Sequence, residues 1–69
     1  MSDSVYKIIN LVGTSDISWE AAAKNAIDRA SKSLEDLRVA EVQKLDLKIE
    51  NGKVVAYRAN VRLSFKYKG

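Results

Sequence analysis

The chain contains no cysteine, no histidine and no proline. Without cysteine there is no disulfide staple and no thiol nucleophile. Without histidine there is no His-based catalytic triad, and the two absences together exclude the usual zinc finger. Three glycines and no proline, beside 46% hydrophobic and 30% charged residues, exclude collagen-like repeats and place the chain among ordinary folded domains. No apolar run approaches the roughly 18 residues that a membrane span requires. Met1-Ser2-Asp3-Ser4 has neither the basic stretch nor the apolar core of a secretory signal, so a cytoplasmic location is expected. Twelve Lys and Arg against nine Asp and Glu leave a net charge of only +3.

What is present is one small domain, residues 1–69. A chain of about 60 residues buries only about 60% of its unfolded surface. Below roughly 70–80 residues a disulfide, a metal, an idealised core or oligomerisation usually supplies the deficit. With disulfides and histidine metal sites absent, oligomerisation is favoured.

Val5 to Val12 is rich in β-branched residues and reads as a strand, which Gly13-Thr14-Ser15-Asp16 is expected to break. Ser18 is the expected N-cap of a helix whose apolar face carries Trp19, Ala22, Ala23, Ala26, Ile27, Ala30, Leu34 and Leu37. Glu20, Lys24, Asp28, Arg29, Lys32 and Glu35 form its solvated face. Arg38–Glu50 and Lys53–Tyr67 flank Asn51-Gly52, the signature of a hairpin with a type I′ turn. In the last strand Val55, Tyr57, Ala59, Val61, Leu63, Phe65 and Tyr67 point one way, and Arg58, Asn60, Arg62, Ser64 and Lys66 the other. In the preceding strand Ala40 and Val42 hold one phase and Leu45, Leu47 and Ile49 the opposite one, which predicts a bulge between Val42 and Leu45.

The expected fold is therefore α+β: a β-α-β-β subunit with a three-stranded antiparallel sheet wrapped around one helix. A 15-residue strand at about 3.3 Å per residue runs roughly 50 Å. A compact globule of this size is roughly 28 Å across. The hairpin must overhang it, leaving apolar side chains, with Leu63, Phe65 and Tyr67 expected among them, to be covered by another copy of the chain.

Val5-Tyr6-Lys7, Val12-Gly13-Thr14-Ser15, Ser18-Trp19-Glu20, Arg38-Val39-Ala40-Glu41-Val42 and Val61-Arg62-Leu63-Ser64-Phe65-Lys66 together resemble the dodecins, over essentially the whole chain. That resemblance implies a hollow homo-dodecamer of cubic symmetry that stores or buffers a ligand and is not an enzyme. Many dodecins hold flavins, two per site, across a twofold interface; some bind coenzyme A or metal ions, and one branch is associated with calcium. It also implies ligand contacts at Arg38, Val39 and Arg58. At Val39, however, the family's flavin-binding members carry a stacking tryptophan, and at Arg58 a glutamine that bonds the flavin's polar edge. Aromatic stacking is worth about 0.5–1.5 kcal/mol per pair beyond area burial, so flavin is expected to bind weakly here. Arg58 suits a carboxylate or phosphate instead.

Other residues invite functional readings that blander ones outweigh. Trp19, the single tryptophan, is placed in core or intersubunit packing before ligand stacking. Gly13-Thr14-Ser15 falls far short of a phosphate-binding loop and reads as a plain strand-to-helix turn. The stripe of Arg58, Asn60, Arg62 and Lys66 fits a solvated or cavity-lining strand face better than a nucleic-acid surface, since base-stacking aromatic motifs are missing. Among the carboxylates Glu41, Asp46 and Glu50, Asp46 is the first candidate to bind calcium or magnesium. A salt bridge to Lys44 or Lys48 is the competing and more economical reading. Calcium takes six to eight oxygens, so one strand cannot supply its sphere and symmetry-related copies would have to contribute. Nothing is spaced as a nucleophile and base, and no catalysis is expected. The reading is a ligand-sequestering homo-dodecamer with no nucleic-acid or membrane partner. The alternative is a structural or calcium-binding shell with no organic cofactor.

Overall fold

The computed structural model describes residues 4–67. Its elements follow the expected order: β1 (Tyr6–Ser15), α1 (Trp19–Ser31), β2 (Leu37–Glu50) and β3 (Lys53–Lys66). All pairing is antiparallel and the strand order is β1-β3-β2, so β3 lies at the centre of the sheet.

Helix α1 begins where Ser18, in extended backbone, accepts the Ala21 N–H on its hydroxyl at 3.0 Å. Glu20 in the first turn and Arg29 in the last complement the helix dipole. The helix stops at Ser31, short of the apolar periodicity. Leu34 lies in the following loop and Leu37 opens β2, yet both still pack on the core. Apolar periodicity reports which side chains face the core; it does not require that they share one helix.

The buried face of α1 is a stripe of alanines, Ala22, Ala26 and Ala30, lying over Ala59, Val61 and Leu63 of β3. Such small residues let the helix sit low on the sheet. Gly13 serves the same end. It lies within β1, which runs on to Ser15 where a turn had been expected, and the helix backbone passes directly over it. A Cβ at this position would collide with the Ala22 carbonyl oxygen. The Asn25 side-chain amide donates to the Thr14 carbonyl at 2.9 Å and secures the same contact.

The hairpin turn has the predicted form. Asn51 at φ 52° and Gly52 at φ 75° are both left-handed, as a type I′ turn requires. The expected bulge is present too, between Val42 and Lys44, with further register shifts between Leu37 and Val39 and between Lys48 and Ile49. The molecule measures 53 × 20 × 16 Å, so the hairpin does overhang the helix.

The location of the overhang differs from the sequence expectation. Leu63 is only 1% exposed, because β1 pairs with the C-terminal half of β3 and the helix covers it. Tyr67 is exposed as expected, at 51%, but further uncovered apolar side chains lie on β2 and beside the turn, among them Leu45 at 51%, Ile49 at 63% and Val54 at 51% exposure. The free end of the hairpin is its tip, not its C-terminal stem.

Candidate functional site

Strand alternation divides the sheet into two faces with different chemistry. On the helix side, β2 presents Ala40, Val42, Leu45 and Leu47 opposite Leu63, Val61, Ala59 and Tyr57. Helix α1 lies over β1 and β3 and leaves the β2 part of this face open, as a cleft of about 650 Å³. Trp19, Ala23, Ile27, Val42 and Leu45 give the cleft apolar walls, with Glu20 and Lys24 on its rim. Trp19 closes one end. Its indole Nε1 donates to the Asp46 carbonyl at 3.0 Å, and its ring meets Tyr57 edge-on at 5.3 Å. Trp19 thus ties the start of the helix to the middle of the hairpin, which agrees with the packing role expected of it.

The outer face carries the polar rows. The register aligns Thr14, Arg58 and Asp46 across the three strands, then Val12, Asn60 and Lys44, then Asn10, Arg62 and Glu41. Arg58 makes a two-pronged contact with Asp46: Nε donates to Oδ1 at 2.6 Å and Nη2 to Oδ2 at 2.9 Å. The hydrogen bond from Arg58 holds the Asp46 carboxyl below its ordinary value of 3.8, and the same bond raises the Arg58 guanidinium. The competing sequence reading had given Asp46 to Lys44 or Lys48. Arg58 takes it because it stands directly opposite and its planar fork matches a carboxylate. Lys48 reaches Glu50 instead, at 3.6 Å, and Arg62 reaches Glu41 at 3.8 Å. The basic stripe of β3 is thereby interleaved with acids from β2. In the row between these pairs, the Asn60 Oδ1 is shut away from solvent and meets no donor among the described residues.

The sequence-predicted ligand residues are not all gathered by one subunit. Arg38 sits at the first register shift and reaches Asp36 at 3.9 Å. It borders, with Val39, a shallow depression of about 140 Å³ beside Ile27 and Leu63. Val39 is 61% exposed. Its pairing partner is Ser64, six positions from Arg58 along β3, or roughly 20 Å at about 3.3 Å per residue. Arg38 and Val39 therefore form one group, and Arg58 with Asp46 another.

The strand order, the wrapped helix and this split between an open apolar face and a polar outer face have a known counterpart. The family model for dodecin matches residues 5–68. The chain belongs to the dodecin family. It is 44% identical over 63 residues, 91% of its length and 89% of the relative's, to calcium dodecin of Mycobacterium tuberculosis. Among solved structures it resembles dodecin from Streptomyces coelicolor, with a TM-score of 0.92 at 33% identity, covering 100% of this chain and 99% of the other. It also resembles the calcium-chelating calcium dodecin of M. tuberculosis, described with a calcium-binding site, with a TM-score of 0.84 at 45% identity over 94% and 93% of the two chains.

One chain by itself does not supply a calcium site. Among the described residues no three acidic side chains converge. The strongest candidate, Asp46, has both oxygens engaged by Arg58. Against a need for six to eight oxygens, a single chain supplies too few. Sequence reasoning named both Asp46 and Arg58 but did not pair them. Their joint signal was available only through the hairpin register, which the bulge after Val42 shifts by one residue.

Proposed function

We propose that this chain is the subunit of a closed homo-oligomeric shell, of the dodecin type, that binds and sequesters a small ligand without catalysing its conversion. The observation that carries the reading is the open apolar half of the helix-side face. β2 and the turn leave Val42, Leu45, Leu47, Ile49 and Val54 exposed on a subunit whose buried core is small. At about 25 cal/mol per Å² of apolar surface, covering such a face with a second copy is strongly favourable, whereas leaving it open invites aggregation.

For the ligand, the relationship to calcium dodecin favours a divalent cation, calcium first. Its oxygens would come from more than one copy, Asp46 among them. Flavin is the less favoured ligand because Val39 offers no ring to stack on and Arg58 offers no acceptor. Native mass spectrometry of the untreated protein, followed by calorimetric titration with calcium and with riboflavin, tests the reading. The expected result is one discrete assembly near twelve copies, saturable calcium binding and weak flavin binding. A folded monomer or dimer at micromolar concentration overturns the shell, and nanomolar riboflavin binding overturns the choice of ligand.

A further inference from the structure

Resting on the self-association just proposed, we infer that the cleft beside α1 receives the hairpin tip of a neighbouring copy, with Ile49 and Val54 entering it. The tip is a bare ribbon. The last pair between β1 and β3 is Ser15 with Tyr57, so beyond Tyr57 the sheet has only two strands among the described residues. The helix gives no cover there either. It starts at Trp19, beside Tyr57, and runs back along β3 away from the turn. From Tyr57 to Lys53 the ribbon projects about 13 Å, at about 3.3 Å per residue. Ile49 and Val54 are register partners on it, and both are exposed. Ile49 lies two residues beyond Leu47, so it continues the apolar row of the helix side. A two-stranded ribbon alone in water is at best marginally stable, and uncovered aliphatic side chains make it an aggregation hazard.

The cleft offers the cover that the tip lacks. Trp19, Ala23 and Ile27 recur every four residues along α1 and form a second apolar stripe, next to the alanines that face β3. These three side chains are half-buried, and their stripe spans about 12 Å at about 1.5 Å per residue, which matches the projecting tip. The chain's own tip cannot fill the cleft. β2 and β3 stay paired up to the turn and hold Ile49 about 13 Å beyond Leu45 of the cleft wall. Charge favours another copy over a purely apolar guest. On the rim Lys24 is held by Asp28, whereas Glu20 has no ion pair among the described residues. At the tip Lys48 holds Glu50, whereas Lys53, next to Val54, has none among them. A neighbouring tip brings a spare cation to a rim with a spare anion.

Native mass spectrometry over a dilution series, with acrylamide quenching of the single tryptophan Trp19, tests the contact in wild type and Val54→Asp. Wild type is expected to be assembled, with Trp19 shielded. Val54→Asp puts an unpaired carboxylate into an apolar contact, so it dissociates at a subunit concentration at least about tenfold higher, and its Trp19 is quenched more readily. Disulfide trapping carries the test if Val54→Asp does not fold. The chain has no cysteine, so in a variant with Ala23→Cys and Val54→Cys any disulfide joins introduced residues. Ala23 stands one helical turn behind Trp19, and Val54 three residues ahead of Tyr57 in the opposite direction. One chain therefore does not bring the two within the roughly 7 Å between Cα atoms that a disulfide spans. The expected link joins position 23 of one copy to position 54 of another, giving covalent oligomers in non-reducing electrophoresis and a cross-linked peptide by mass mapping. If wild type assembles but Val54→Asp dissociates and quenches as wild type does, or if that link does not form, the contact is refuted while the shell stands. A small organic molecule retained by the wild-type assembly, whose removal exposes Trp19, puts a ligand in place of the tip and also refutes it. A monomeric wild type overturns the shell and the contact together.

Discussion

Gly13→Ala adds one methyl group where the helix has left no room for it. Gly13 is not among the residues of positive φ, so alanine meets no torsional penalty there, and the effect is purely steric. The new Cβ would overlap the Ala22 carbonyl oxygen and lie 3.0 Å from both the Ala22 carbonyl carbon and the Ala26 Cβ. Two of these three atoms are helix backbone, which no rotamer change can move aside. Helix α1 must lift by on the order of 1 Å, loosening the alanine stripe from Ala59, Val61 and Leu63 together. Replacing glycine stiffens the unfolded chain and returns about 0.4–1 kcal/mol. Overpacking a tight contact costs typically about 1–3 kcal/mol, and a backbone clash belongs at the upper end or beyond, so the steric term wins. For a chain of this size about 1 kcal/mol moves Tm by about 4–8 °C, so the variant should melt roughly 10–20 °C lower. Circular dichroism melts at matched protomer concentration measure this, since self-association makes Tm concentration-dependent. Gly52→Ala is the counterpart: its Cβ has open space, but φ 75° strains any other residue by about 1–2 kcal/mol. A Gly13→Ala melt within about 2 °C of wild type, half the smallest shift that about 1 kcal/mol brings, would refute the close approach of helix and strand.

Leu63→Asp places a carboxylate at a site 1% exposed and should cost about 3 kcal/mol or more, abolishing assembly and cooperative melting. Lys24→Ala removes only the exposed pair with Asp28, at about 0.3–0.5 kcal/mol, so sedimentation should find it assembled as wild type. Because Arg58 lowers the folded-state value of Asp46, the pair supports the fold at pH above 3.8 and that support fades as pH falls through the lowered value. An NMR titration placing the Asp46 carboxyl at or above 3.8 would contradict the pairing. Val39→Trp with Arg58→Gln supplies an aromatic ring and an amide at the two positions to which the resemblance to flavin-binding dodecins assigns them, and should tighten riboflavin at least about tenfold by fluorescence quenching. Equal weak binding by wild type and the double variant would show that these positions do not form the pocket.

Much of this fold was legible because its signals are local. Ser18 before the alanine-rich stretch announced the cap, Asn51-Gly52 the turn, and the strict alternation of β3 the buried row of Ala59, Val61 and Leu63. The misplaced boundaries have a common cause. Gly13 looks like a turn residue by its type, but its position is set by a helix that arrives over it from later in the chain. Leu34 and Leu37 continue the helical period by chance of spacing, although the helix ends at Ser31 and Asp36 turns the chain at φ 57°. Leu63 was assigned to the overhang because strand lengths alone do not say which part of β3 is paired with β1. The ion pair of Asp46 and Arg58 was hidden for the same reason, being a property of register.

That register turns on one residue. Val42 stands opposite Val61, yet Lys44 already stands opposite Asn60, so Gln43 is the extra residue of the bulge. In an unbroken ladder counted from Val42, Lys44 would oppose Ala59, Leu45 would oppose Arg58 and Asp46 would oppose Tyr57. The lysine and the aspartate would then lie on the helix-side face, and Leu45 would sit among the charges outside. With the bulge in place, Leu45 and Leu47 join Val42 on the open apolar surface, and Asp46 turns outward to meet Arg58. One inserted residue thus produces both the open apolar face and the outward carboxylate that Arg58 holds. A strand that kept perfect alternation could present one or the other, but not both on these residues.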